Sequence, residues 1–287
     1  MRHQIPSKTT NGSWGFAHPH TSVKWPENTN LMLGAILDFS ISALAAIEAQ
    51  LNWNLLFGTP QEVRSLLYLY FALDEGLDPK PAQKRLIEVF GQTRQGLMRE
   101  KGKLEIFQND PSAPSTLAGY VEVNMLTGSR GHIHLQFSKI SGPELALGAP
   151  IHCNLLVHEA THRYAKTIDA PVKIPSTSSK LAYFNIWKQN VLTTYAAASD
   201  KRKARELIAG TLTSHLAHAD ALNNADSYAW FMTAMIESYA TTLAGVFQLY
   251  PKMKAELLEA TVHYASVEEN ALKAIGHSFL FNPFTLV

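Results

Sequence analysis

Cysteine is almost absent. Cys153 is the only one in 287 residues, so the chain cannot close a disulfide within itself and cannot build a cysteine-rich zinc site. Any metal must therefore be held by histidine and carboxylate. Charge of one sign is also missing: 25 Lys and Arg stand against 24 Asp and Glu, a net charge of +1. No long block of like charges occurs, so nucleic acid is not an expected partner. With 16 Gly and 14 Pro the chain has too few of either for a collagen-like or low-complexity class, and a hydrophobic share of 46% marks a folded globule. The opening residues, Met1-Arg2-His3-Gln4-Ile5-Pro6, lack the basic-then-apolar order of a secretory signal. The expectation is a protein without a Sec signal, either cytoplasmic or exported by a route that reads none.

Uninterrupted hydrophobic runs are scarce as well. Residues 31–48 come nearest, but Asp38, Ser40 and Ser42 break a stretch barely long enough to span a bilayer, which favours a buried helix over a membrane span. Residues 1–30, with Pro6, Pro19 and Pro26 among small polar residues, read as an irregular arm. Residues 31–102 read as a helical N-terminal region. Helices are expected after Pro60, with Val63, Leu66, Leu67 and Tyr70 on one face, and after Pro81, with Leu86, Val89, Phe90, Leu97 and Met98. Between 103 and 137 the period changes to two. The segments 103–108, 119–125 and 132–137 alternate apolar and polar residues between turn signals and predict short antiparallel strands. From Pro143 the helical period returns. The whole reads as α+β, helix-rich, with a small, mainly antiparallel sheet, and residues 103–287 form the expected second region, after the helical one.

What is present is a motif. His158-Glu159-Ala160-Thr161-His162 follows the apolar run Leu155-Leu156-Val157. On a helix, residues four apart share a face, so both imidazoles can reach one metal while Glu159 stands beside them to take a proton from activated water. A catalytic zinc ordinarily takes three protein ligands and leaves a fourth position open. Asp169, seven residues after His162 and ahead of Pro171, is the leading third ligand; Glu237, in a later helix, is its rival. The strand at 131–137 either offers an edge to which a peptide adds or is an ordinary sheet strand with its histidines turned to solvent. His215 and His218 read as surface or packing residues, and Cys153 as a buried, inert thiol.

A second stretch, Ala221-Leu222-Asn223-Asn224-Ala225-Asp226-Ser227-Tyr228-Ala229-Trp230-Phe231, places Asn and Asp where they could cap an aromatic-rich helix. His-Glu-Ala-Thr-His followed by an Asp, then Asn-Ala-Asp-Ser-Tyr, resembles the aspzincin zinc metalloendopeptidases, the deuterolysin and peptidyl-lysine endopeptidase group, over about residues 130–240. The resemblance implies a zincin-like fold with one zinc ion on His158, His162 and Asp169, and Glu159 as general base. It implies a place for Asp226 by the substrate pocket, favouring a basic residue after the scissile bond. Tyr228 of the same segment is a substrate-binding candidate, although with Trp230 and Tyr239 it also reads as packing against the zinc helix. The family carries a Tyr three residues after its ligand Asp, where this chain has Val172, so an oxyanion donor is expected elsewhere, at Tyr164 or Tyr183.

The function expected on these grounds is zinc-dependent hydrolysis of peptide bonds, in the manner of a bacterial effector or toxin. Its partners would be a protein or peptide substrate and a cognate immunity protein or inhibitor. The alternatives are a zinc amidase acting on cell-wall peptides and a binding or toxin-delivery module that keeps the fold without turnover.

Overall fold

A single long helix organises the molecule. In the computed structural model α1 runs Thr29–Phe57, and Leu33, Ile36, Phe39, Leu44, Ile47 and Leu51 along it are fully buried. The structure describes residues 29–74, 76–100, 106–108, 118–124, 127–135, 151–169 and 217–274. Helix α1 is apolar on nearly every side because it has neighbours on nearly every side. It packs against α3 (Lys80–Glu100), α4 (Ile151–Ala165) and α6 (Pro251–Ala274). By length and composition it could cross a membrane, and most of its apolar window is buried within the protein.

The other helices obey their sequence signals. Pro60 immediately precedes α2 (Gln61–Phe71), and Pro81 sits in the first turn of α3, where its missing N–H costs no hydrogen bond. Leu86, Val89, Phe90 and Leu97 of α3 are buried at helical spacing, while Met98, expected on the same face, is half-exposed. Helix α5 (Ala225–Glu237) buries ten of its residues between α2 and α4. Its Tyr228 and Phe231 rings join Phe71 of α2 and Phe90 of α3 in an aromatic cluster, with centroids 5.0–6.1 Å apart. The buried core is continuous across residue 102, from α1 and α3 into α4, α5 and α6.

The sheet has three strands, β1 (Ile106–Gln108), β2 (Gly119–Val123) and β3 (Arg130–Leu135), in the order β1-β3-β2. Strands β2 and β3 pair antiparallel, Gly119 opposite Leu135 and Val123 opposite Arg130, with an irregularity between Val121 and Val123. Strand β1 pairs parallel to β3, Ile106 opposite Ile133, where an antiparallel strand was expected. Alternation fixes which face a strand buries but not which neighbour it takes, so the pattern at 103–108 carried no information on direction. The sheet lies against α4, which touches both β2 and β3. The observed architecture is thus α+β and helix-rich, with a small mixed sheet beside the His-Glu-x-x-His helix.

Strand β3 is central, and both its edges are paired. It therefore cannot receive an added strand, and its His134 is buried rather than turned to solvent. His134 stacks on Tyr120 and hydrogen-bonds Glu122 through Nε2 at 3.0 Å. The edge strands are β1 and β2, and it is β2 that lines the cleft beside α4. No other strand among the described residues covers its outer side.

Candidate metal centre

Helix α4 divides its residues by face. Cys153, Leu156, Val157 and Ala160 are fully buried against the helical core, while His158, Glu159 and His162 lie toward the sheet and a cleft beside it. The helix stops at Ala165 because Lys166 adopts a left-handed φ of 59°, which reverses the chain. Thr167 then returns over the last turn, its N–H bonding the Thr161 carbonyl and its hydroxyl lying 2.8 Å from the Thr161 hydroxyl. The next residue is held from far along the chain. Ile168 donates to Asn223 O at 2.9 Å and accepts from Ala225 N at 3.0 Å, a two-bond bridge that ties the Asp169 segment to the start of α5.

These anchors bring three ligand-type atoms together. His158 Nε2 and His162 Nε2 are 3.1 Å apart, and Asp169 Oδ1 lies 3.2 Å from the first and 3.1 Å from the second. Atoms about 2.0–2.1 Å from one tetrahedral metal stand about 3.3–3.4 Å apart, so the observed triangle is only a few tenths of an ångström tight. The opposite nitrogens are held as well. His162 Nδ1–H donates to the Thr167 carbonyl at 2.8 Å, and His158 Nδ1 lies 3.0 Å from Asp226 Oδ1. A carbonyl and a carboxylate can only accept, so each Nδ1 carries a proton and Nε2 is the nitrogen turned to the shared point. This donor set, two imidazoles with carboxylates, suits zinc and is able to coordinate a metal ion.

The charges respond to this crowding. Burial opposes the cation of His158, yet the Asp226 carboxylate together with Asp169 and Glu159 lifts its pKa well above the ordinary value. Partial burial likewise opposes the Asp169 carboxylate, but hydrogen bonds from His158 and His162 hold it far below the usual carboxylate range, even though its side chain is 71% exposed. Glu159 behaves in the opposite way. It is 3% exposed, and burial pushes its carboxyl up to about 7 against the pull of the two histidines. Its Oε2 has no hydrogen-bond partner. A carboxyl of this kind exchanges a proton readily near neutral pH.

The cleft is walled on one side by Gly119, Tyr120, Val121 and Val123 of β2, with Arg130 of β3 at its end. Glu159, His162, Thr167, Ile168 and Asp169 form the other side. Gly119 lies against Glu159: a Cβ there would stand 2.7 Å from Glu159 Oε1 and 3.0 Å from its Cγ. A glycine within a strand marks close approach by another group, and that was the one signal in the sequence for Gly119. Thr167, Ile168 and Arg130 gave none, because their roles come from backbone pairing and strand order.

His158, Glu159, His162, Asp169 and Asp226 thus converge. Glu237, the rival ligand, closes α5 and, among the described residues, is not one of the carboxylates gathered around His158 and His162. Tyr164 is turned away. It lies about 200° around the helix from His162, and its ring rests on Gly96 of α3, where a Cβ would have no room. That placement does not suit an oxyanion donor. Tyr228 is fully buried, with its hydroxyl donating to Leu222 O at 2.6 Å and its ring in the aromatic cluster, so it is a core residue rather than a substrate contact. Asn224 begins α5 but does not cap it through its side chain, which donates to Ser227 Oγ. His218 donates to the Phe71 carbonyl and Cys153 is buried, as expected of packing residues. Tyr183, Val172 and His215 lie outside the described residues.

Comparison with protein-family models, with curated proteins and with solved structures finds no match to this chain.

Proposed function

We propose that this chain is a zinc-dependent endopeptidase with an aspartate ligand, of the aspzincin kind. The observation that carries the reading is the near-equilateral triangle of His158 Nε2, His162 Nε2 and Asp169 Oδ1 with the buried Glu159 carboxyl beside it. Held by these three residues, a zinc ion would supply Lewis acidity for a peptide carbonyl and for water. Glu159 would accept a proton from the attacking water and pass it to the leaving amine, a role for which its unpartnered Oε2 and raised pKa suit it. The Thr167 carbonyl and Asp226 keep the imidazoles oriented throughout. The uncovered side of β2 offers backbone N–H and C=O groups along the cleft, which favours an extended peptide over a compact substrate.

Elemental analysis with a casein assay tests this. One zinc per chain is expected, lost in Asp169→Ala and kept in Glu237→Ala, while Glu159→Ala keeps the zinc and abolishes hydrolysis. Zinc lost with Glu237 and kept without Asp169 would replace this layout by a glutamate-ligand one. Hydrolysis of peptidoglycan but not casein would make the protein an amidase, and failure to hold supplied zinc would end the enzyme reading.

A further inference from the structure

The cleft has two chemically different ends. At one, Gly119 lies against the Glu159 carboxyl. At the other, Val123 pairs with Arg130, a partly buried residue that lines the same cleft. Four residues of extended strand separate the ends, about 13–14 Å at 3.4 Å per residue. The remaining acids near the cleft have partners. Asp169 bonds both ligand histidines, Asp226 holds His158, and Glu122 bonds His134 on β3. No carboxylate among the described residues pairs with Arg130.

An arginine in a cleft without a counter-ion presents five donors in a fork that matches a carboxylate. We propose that Arg130 forms a carboxylate subsite, so that the preferred substrates are extended peptides carrying a carboxylate about four residues from the scissile bond. This rests on the peptidase reading and adds the substrate class to it. A peptide laid on the free side of β2 advances along the strand at the same rise per residue, so its residue level with Val123 meets Arg130 when its scissile bond is level with Gly119. Antiparallel addition sets that residue on the amino side of the cut and parallel addition on the carboxyl side. The carboxylate can come from an acidic side chain or from a chain end.

The test uses the full-length, zinc-loaded protein and end-blocked peptides that differ only by Glu, Gln or Lys at one position, scanned five residues to either side of the cut. One further peptide has a free C-terminal carboxylate. Wild type is expected to cleave the Glu peptide about 10–100-fold faster in kcat/KM than its Gln partner at one position about four residues away, the range for a charge-assisted hydrogen bond. Arg130→Ala should remove that preference, bringing the Glu and Gln peptides to equal kcat/KM, and Arg130→Glu should transfer it to the Lys peptide. A preference only for the free C-terminus assigns the subsite to chain ends. No discrimination in wild type, or discrimination that survives Arg130→Ala, overturns the proposal. Binding of the same peptides to zinc-loaded Glu159→Gln protein, followed by fluorescence anisotropy, separates the two readings. If no peptide is cleaved but binding still depends on Arg130 and the acidic position, the subsite stands and the peptidase reading falls; binding without that dependence overturns the subsite.

Discussion

Gly119→Ala isolates the contact between the sheet and the base. The new Cβ would lie 2.7 Å from Glu159 Oε1, 3.0 Å from Cγ and 3.1 Å from Cδ. Ordinary contact between carbon atoms begins at about 3.5 Å, so the carboxyl must retreat by about half an ångström. Folding tolerates this. Overpacking costs about 1 kcal/mol at its low end, and replacing a strand glycine by alanine returns about 0.5–1 kcal/mol of backbone entropy. With Glu159 as the proposed base, hydrolysis should not tolerate it, because displacement of a reacting group by about 1 Å costs on the order of 100-fold in rate. The expected variant melts within a few degrees of wild type, keeps one zinc per chain and loses about 10–100-fold in kcat/KM. A fluorogenic casein assay, a thermal melt and elemental analysis on the same preparation decide it. Unchanged kcat/KM with fold and zinc intact would refute the assignment of Glu159 as the base.

Three other outcomes follow from named contacts. Asp226→Ala should weaken zinc binding about 10–100-fold in a chelator competition, with Asp226→Asn losing less because its amide oxygen still accepts from His158 Nδ1; equal affinity in all three proteins would deny the orienting role. Glu268 is buried in α6 and accepts from Tyr264 at 2.6 Å and His152 Nδ1 at 2.8 Å, so Glu268→Ala should cost about 3–5 kcal/mol in urea unfolding, and a loss below 1 kcal/mol would contradict it. Burial raises the pKa of Cys153 and Tyr264 well above their ordinary values. The unfolded chain therefore releases these protons first. The stability they contribute is full below about pH 8.5 and drains away as pH climbs through the unfolded values near 8.5 and 10, so the urea midpoint should fall between pH 8 and pH 10.5 and Cys153 should resist alkylation until the protein unfolds.

How much was legible depended on the range of the interaction. The helical repeat placed His158 and His162 on one face, and a seven-residue return ending near Pro171 placed Asp169 within reach of them. Both are local geometry. Asp226 was legible as a residue but not as a contact: the resemblance set it by the substrate pocket, while the structure stands it 3.0 Å from His158 Nδ1 with its side chain 26% exposed. Tyr228 read both as a substrate contact and as packing because an aromatic beside a polar motif looks the same whether it faces a cleft or, as here, the rings of Phe71 and Phe90. Strand 131–137 read as a candidate edge because the sequence carries no record of strand order.

The sequence by itself determined the chemistry. The lone cysteine left histidine and carboxylate as metal donors, and the i, i+4 spacing on an apolar-backed helix brought two histidines to one point. Tertiary structure alone decided the surroundings of that point. It set β2 at an edge with Gly119 against Glu159, bridged Ile168 to Asn223 and Ala225 so that Asp169 completes the triangle, and left Arg130 in the cleft with no carboxylate partner among the described residues. The division has a physical origin. A helix fixes its faces through bonds four residues apart, whereas a strand edge or a bridge across more than fifty residues depends on which distant backbone groups meet, and that is settled only when the core closes.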